Sequence, residues 1–477
     1  MAEPVERLPT VLAVPTLATA ENREGAAPFK AQVCPPGSKS LTNRAILLAA
    51  LADGESVLHR PLVAAEDAQR MLIAVAALGA VVTVDSDETV CIGGVNGRWR
   101  ANEREITLNL NNAGTAVRFL AGAALLSPMP IVIDGNARMR ERPIGELGDL
   151  LKAMGCEIDY LGGGAGGGSC PPLRIRPPCD LAKIPNTIEV GQTYSSQFIS
   201  AMLLVAPWLP HGLTVKLAAS PTSASYIAMT AGLLAHVGAV VQHSADQRVI
   251  RVRGENGAAG LRGFEYRVEP DASGATYFWA AAAVTPGAVC RVMGLDDDSL
   301  QGDSDFPMLL RRMGAVVHEH KRGGTAEGGT ESHIEVTGPR LLKPILADMS
   351  EMPDAAMTLA AVACFAQGTS ILRGLRTLRV KETDRIAAVC AELAKIGVDI
   401  EPAAAGDPDA LTITPPRNGV DCSPGAARVE FETYDDHRMA MSLAIIGLRR
   451  PNVFIKNPAC VAKTYPTFWR DFALLYR

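Results

Sequence analysis

Residues 379–385, RVKETDR, hold five charged side chains: Arg379, Lys381, Glu382, Asp384 and Arg385. The IAAVCAELAKIG that follows reads as an amphipathic helix. Both signs of charge at a helix entrance either pair with one another and do nothing else, or form part of a site for an anion. If the segment is helical, Lys381 and Arg385 stand i, i+4 on one face and can clamp such an anion together.

The same pattern recurs along the chain. PPGSKSLTNRAILLAA (35–50) sets Lys39 and Ser40 at the start of an apolar helix, with Arg44 one turn in. Ser38 or Ser40 can cap that helix, but a lysine there opposes the helix dipole. In NLNNAGTAVRFL (109–120), Asn112, Gly114 and Thr115 lead into a second apolar helix, and the glycine lets backbone approach a ligand. ARMRERPIGEL (137–147) carries Arg138, Arg140 and Arg142 on alternate residues. On an extended strand all three face one way, and guanidinium forks suit carboxylate and phosphate. Ser195, Ser196 and Gln197 precede the apolar FISAMLLVAP, more hydrogen-bonding side chains than one cap needs, and SASYIAMT adds Ser223 and Tyr226.

Asp354 precedes an apolar helix in MPDAAMTLAAVACFA (352–366), as a charge meeting the dipole or as a general base. YDDHRMAMSLAI (434–445) offers Asp435, Asp436, His437 and Arg438, without the Gly-x-Ser-x-Gly elbow of a serine hydrolase. PACVAKTYPTF (458–468) adds Cys460 and Lys463. Each stretch has a structural reading alone. Together, polar clusters at the mouths of apolar helices predict an electropositive pocket for small polyanions.

The elements behind these clusters repeat. LIAVAALGAVVTV, LLKAMGCEIDY, LLAHVGAVVQH, LLRRMGAVVHE and ELAKIGVDIEP each read as helix, glycine, short strand. Their glycines, Gly79, Gly155, Gly238, Gly314 and Gly397, are spaced 76, 83, 76 and 83 residues apart and sit where a left-handed helix C-cap belongs. A sixth helix, FWRDFALLYR, ends the chain with no strand after it, and the strand-like FKAQVCP (29–35) is expected to supply one. The prediction is an α/β protein of two domains with three units each, residues 36–264 and residues 1–35 plus 265–477, around a cleft. The Gly-rich 254–263 punctuates the boundary, and GGGAGGGS (162–169) reads as a hairpin tip.

A net charge of −5 over 477 residues and 5% aromatics argue against a nucleic-acid surface. Ten scattered cysteines without a Cys-x-x-Cys pair give no support for zinc and suit a reducing compartment. The N-terminus is a poor secretory or transit signal and no apolar run reaches membrane-span length, so a cytoplasmic protein is expected.

PGSKSLTNRA, NNAGTAVRFL, ARMRERPIGEL, SSQF, PDAAMT, RVKETDR, YDDHRMAM and AKTYPTFW resemble, in order, the motif series of the 5-enolpyruvylshikimate-3-phosphate synthase family. The resemblance implies a two-domain inside-out α/β barrel, each domain of three βαβαββ units, with the active site in the interdomain cleft closing around substrate. It implies transfer of the enolpyruvyl group of phosphoenolpyruvate to the 5-hydroxyl of shikimate 3-phosphate with release of phosphate, and no cofactor or metal. Asp354 is then the base for the hydroxyl, Glu382 the proton donor and acceptor at C3, and Lys39 a neutraliser of developing charge. Lys39, Ser40, Arg44, Ser195, Ser196, Gln197, Ser223, Tyr226, Asp354 and Lys381 are implied to hold shikimate 3-phosphate. Lys39, Asn112, Gly114, Thr115, Arg142, Gln197, Arg385, Arg438 and Lys463 are implied to hold phosphoenolpyruvate. Arg379 and Asp384 are expected to be structural.

The chain departs from the family pattern at Asn111, where Gly is usual, at Phe119, where bacterial members commonly have Pro, and at Thr377, where Asn is frequent. A monomer with no membrane or nucleic-acid partner is expected, with glyphosate as a candidate inhibitor. The alternatives are the UDP-N-acetylglucosamine enolpyruvyl transferases, which should carry a reactive cysteine, and an inactive metabolite-binding relative.

Overall fold

The five glycines are where the fold declares itself. In the computed structural model all five have positive φ: +105° at Gly79, +87° at Gly155, +101° at Gly238, +109° at Gly314 and +80° at Gly397. At the first four, the next residue's N–H reaches back five residues: Ala80 to the Val75 carbonyl, Cys156 to Leu151, Ala239 to Leu234 and Ala315 to Leu310. That bond is the signature of a helix closed by a left-handed residue. The structure describes residues 8–17, 28–86, 88–100, 103–162, 168–191, 195–219, 221, 223–253, 260–321, 331–403 and 406–477. Most of the Gly-rich stretches 162–169 and 254–263 lies outside them.

After each glycine the chain forms the edge strand of a four-stranded sheet, and all five such sheets share one order. In one of them, Ile106–Asn109 pairs parallel with Ile131–Asp134, which pairs antiparallel with Leu173–Arg176, and Glu157–Tyr160 lies outermost. The helices Gly114–Ala123 and Gly145–Ala153 connect these strands, giving βαβαββ.

The chain divides into two compact units, Gly37–Glu269 and Met1–Pro36 with Pro270–Arg477. In the first, Glu265–Arg267 pairs parallel with Glu55–His59 as the leading strand of its sheet. In the second, Lys30–Val33 does the same beside Val289–Met293. The strand that joins the C-terminal sheet is therefore not 29–35, as the sequence suggested. It is Val11–Val14, antiparallel to Val453–Lys456. Prolines at 9 and 15 bracket that run and make it read as a loop, yet at a sheet edge prolines are tolerated.

Each unit is lined with sheets and filled with helices. Lys39–Leu51, Gly114–Ala123 and Ser196–Val205 pack on one another inside the 37–269 unit. Ala272–Val284, Ala356–Ala363 and His437–Gly447 do so in the other. Apolar on every side, these helices can only be interior. All residues of 272–284, 356–363 and 437–447 are buried. Hydroxyls inside them bond to one another, Thr276 to Thr358 at 3.2 Å and Thr358 to Ser442 at 3.4 Å, and the Trp279 ring N–H donates to the Ile334 carbonyl at 3.2 Å.

Candidate active site

The 37–269 unit gathers its polar side chains at the starts of its interior helices. Ser38 caps the first, its hydroxyl accepting from the Leu41 N–H. Lys39 reaches Asp67, 3.4 Å away and buried. Arg44 is 1% exposed and makes four hydrogen bonds: Nε to Thr230 Oγ1 at 2.8 Å, Nη1 to the Ser40 carbonyl at 2.9 Å, and Nη2 to Ser200 Oγ at 3.4 Å and the Tyr226 carbonyl at 3.2 Å. Its guanidinium also lies 5.0 Å from the centre of the Phe119 ring. Burial pulls its pKa down to about 10. Arg44 thus ties three helices together through neutral oxygens.

A second group forms around Arg142. Its Nη1 donates to Asn112 Oδ1 at 3.2 Å, while its buried Nε has no hydrogen-bond partner among the described residues. The guanidinium lies flat against Gly114: a β-carbon there would fall 2.7 Å from Nη2. Gln197 Nε2 donates to Thr115 Oγ1 at 3.3 Å, and Ser195 Oγ accepts from the Gln197 N–H at 3.2 Å. Asn112, Gly114, Thr115, Arg142, Ser195 and Gln197 are therefore linked. Ser196 is buried at the same helix start, and Ser223 is buried with φ +58° ahead of the helix Ala224–His236, which carries Tyr226. Asn111 has φ +49°, a conformation asparagine tolerates, so it takes the loop shape a glycine would.

Residues 137–147 do not form the extended strand that would align three arginines. Asn136 Oδ1 accepts from the Met139 N–H at 3.0 Å and the chain turns into a short 3₁₀ helix, Met139–Glu141. Arg138 pairs with Glu141 at 2.9 Å and Arg140 with Asp134 at 2.7 Å, leaving Arg142 alone to reach Asn112.

The other unit holds a cluster of opposite character. Asp354 Oδ1 accepts from Arg385 Nη1 at 2.8 Å and lies 3.4 Å from Lys381 Nζ, and its Oδ2 is 3.0 Å from Arg438 Nη2. Arg385, 1% exposed, also donates to Asp436 at 2.7 and 3.2 Å and to Glu382 Oε2 at 3.0 Å. Glu382 Oε1 lies 3.2 Å from Lys463 Nζ. Burial pulls the Arg385 guanidinium down, but Asp436, Glu382 and Asp354 outweigh it and hold it above its ordinary value. Burial lowers the Lys381 ammonium, against the pull of Asp354.

Lys381 lies just outside the helix Arg385–Ala394, so the i, i+4 premise fails. The two cations converge because both reach Asp354. Asp384 caps that helix through the Ile386 and Ala387 N–H groups, and Arg379 pairs with Asp384 and Asp409. Thr377 is buried, its hydroxyl without a partner among the described residues.

Sequence reading missed several members. Asp67 looks like an ordinary first-turn acid. Asp303, in QGDSD, is 4% exposed and bonded to Ser273. Burial raises its carboxyl to about 7; Asp354 adds to the rise, while Arg438 and the Ser273 hydroxyl oppose it. Tyr277 accepts from Arg438 Nη1 at 3.5 Å. For Tyr277 the signal available was a polar group inside an otherwise apolar helix; Asp303, in a polar segment, offered none.

One cluster groups cations with neutral hydrogen-bonding side chains, and the other couples two carboxylates, Asp354 and Glu382, to four cations. Residues 23–472 match the family EPSP synthase (3-phosphoshikimate 1-carboxyvinyltransferase). The chain belongs to the EPSP synthase family. It is 39% identical over 441 residues to a 3-phosphoshikimate 1-carboxyvinyltransferase of Erwinia tasmaniensis, covering 92% of this chain and 95% of that one. It is 41% identical over 443 residues to the one from Pectobacterium carotovorum, with the same coverage. An EPSP synthase structure from Acinetobacter baumannii matches with a TM-score of 0.74 at 27% identity over 97% of both chains. The chain is thus a transferase of the shikimate pathway with the two-domain inside-out α/β fold, acting on shikimate 3-phosphate and phosphoenolpyruvate. The UDP-N-acetylglucosamine reading is not favoured. Nor do the cysteines help it: Cys156 is buried, and burial pushes its thiol to about 12, unlike a reactive thiolate.

Proposed function

We propose a division of roles in the transfer between the two clusters. Asp354 takes the proton of the shikimate 5-hydroxyl as that oxygen attacks C2 of phosphoenolpyruvate, and Glu382 protonates C3. The tetrahedral adduct then expels phosphate, which carries off the proton held by Asp354, while Glu382 takes back a proton from C3, so both carboxyl groups end as they began. Lys39 neutralises charge developing on the adduct. Arg142, Asn112, Gly114, Thr115 and Gln197, with Arg385, Arg438 and Lys463, hold phosphoenolpyruvate. The observation that carries this is the buried Arg142 Nε, a charged donor lacking a partner among the described residues, as expected of a group built to meet an anion.

Ser40, Ser195, Ser196, Gln197, Ser223, Tyr226, Lys39, Asp354 and Lys381 hold shikimate 3-phosphate. Arg44 offers that ligand its one remaining donor of five. The Thr377 hydroxyl supplies a further contact. Lys381, Arg385, Arg438 and Lys463 are ion-paired to Asp354 and Glu382. Substrate anions compete for those cations and turn the carboxylates toward the reacting atoms. The test is phosphate release from phosphoenolpyruvate: it should require shikimate 3-phosphate, and release without it, or none with both, would refute the reading.

The same reading makes the protein a cytoplasmic monomer without membrane or nucleic-acid partners, and glyphosate an inhibitor competing with phosphoenolpyruvate. Among the described residues no helix is long and apolar enough to cross a membrane. Elution at the mass of one chain, 50.3 kDa, would bear out the monomer and elution at twice that would refute it. Inhibition by glyphosate that phosphoenolpyruvate fails to relieve would refute the competition.

A further inference from the structure

In the Pro270–Arg477 portion, the three interior helices start at the catalytic cluster and finish at a cavity. Asp271, Asp354 and Asp436 stand at their N-terminal ends. Ala283 and Val284, Phe365 and Ala366, and Arg449 stand at their C-terminal ends, and these residues line a cavity of about 610 Å³. Thirteen helical residues at ~1.5 Å each separate the two ends by roughly 20 Å, so this is not the catalytic site.

The charge of the lining is one-sided. Arg340, Arg417 and Arg449 all face the cavity, and none of its lining residues is acidic. Three helix C-termini subtract from this potential, at roughly half an elementary charge each, against three full positive charges. The remainder is positive, in a chain whose net charge is −5. Three like charges around one space repel, and an anion among them relieves that repulsion.

The walls carry both apolar and polar groups, the polar share being the larger. Phe365 lies under the Arg449 guanidinium, 4.9 Å from ring centre to carbon, and Leu341, 57% exposed, stands at the cavity wall with Pro339 and Pro416. A cavity of this volume that mixes apolar faces with convergent cations suits a small molecule that is part apolar and part anionic. The flat proline and phenylalanine faces suit a flat ligand body, and the guanidinium forks suit a carboxylate.

We propose that this cavity is a second binding site, for a small aromatic carboxylate. Arg340 and Arg417 engage the carboxylate, and the ring lies among Phe365, Leu341 and the prolines. The proposal does not rest on the assignment of catalytic roles, because turnover measured without the probe reports on those separately.

The test is calorimetric titration of 4-hydroxybenzoate into the full chain, saturated with shikimate 3-phosphate, with inorganic phosphate as the comparison probe. One saturable site is expected, weakened at least about tenfold in the Arg340→Ala, Arg417→Ala double variant. Both arginines are exposed, so the double variant should fold and keep its basal turnover. Leu341→Asp, which adds a negative charge to the wall, should weaken binding as much. The proposal is overturned if the variants bind the probe like the parent, if no saturation is seen by about 1 mM, or if phosphate binds as well as 4-hydroxybenzoate.

Discussion

The two polar clusters are built alike, at the starts of buried helices, but balance their charges differently. In the 37–269 unit Arg44 and Arg142 are held by hydroxyls, carbonyls and an amide, and only Lys39 meets a carboxylate, Asp67. In the other unit Asp354, Glu382 and Asp436 interlock with Lys381, Arg385, Arg438 and Lys463. Neutral partners hold a cation in place without satisfying its charge, which suits binding of anions. Carboxylate partners satisfy it and also furnish proton-transfer groups. Under the proposed roles, both clusters hold substrate anions and the second also carries the proton transfers.

That contrast breaks most visibly if the two central arginines are removed. Arg385→Met leaves the Asp354, Glu382 and Asp436 carboxylates without the cation they share, and unfolding free energy should fall by about 3–5 kcal/mol. Arg44→Met leaves only hydroxyls and carbonyls behind, and should lose about 1–3 kcal/mol. Urea midpoints of the two variants check the order; a larger loss for Arg44 would mean the charge distinction is unimportant.

Asp303 sharpens the contrast, as a carboxyl beside the charged cluster without a cation of its own in direct contact among the bonds described. Its pKa rises on folding from 3.8 to about 7. Below pH about 4 it is neutral whether folded or unfolded, so its burial carries no charge penalty. Between those values unfolding releases its proton, so its contribution to stability is lost as pH rises. Asp303→Asn should therefore stabilise the protein more at pH 8 than at pH 5, by up to a few kcal/mol. An equal effect at both pH values in denaturant titrations would show that Asp303 does not titrate in this window.

The smallest change is Gly114→Ala. Its β-carbon would displace the flexible end of Arg142 rather than backbone. Stability should be nearly unchanged, while affinity for phosphoenolpyruvate falls about ten- to a hundredfold, the loss of one charge-assisted hydrogen bond. Unchanged affinity would free Arg142 of the role given to it.

Much of this was legible beforehand because it is local. The glycine after each outer helix announces a left-handed cap, and the largely apolar runs after Asp354 and Arg438 announce interior helices. What escaped depended on pairing and burial rather than on local pattern. Val11–Val14 becomes a strand only because Val453–Lys456 offers an edge. Arg138 and Arg140 are diverted by Glu141 and Asp134, and a 3₁₀ turn replaces the strand that alternation suggested. Asp303 gains its character from burial, which no spacing encodes. The series from PGSKSLTNRA to AKTYPTFW conveyed the family, but not that Arg44 makes most of its hydrogen bonds within the protein.

The central claim, that the Asp354–Glu382 cluster does the chemistry, is tested most directly by single-turnover kinetics of Asp354→Asn and Glu382→Gln alongside equilibrium titration with shikimate 3-phosphate. Removing a negative charge beside Lys381, Arg385 and Arg438 should leave anion affinity equal or tighter, while the chemical step slows by about 10²–10⁴-fold. Weakened binding with the chemical step intact would contradict the account.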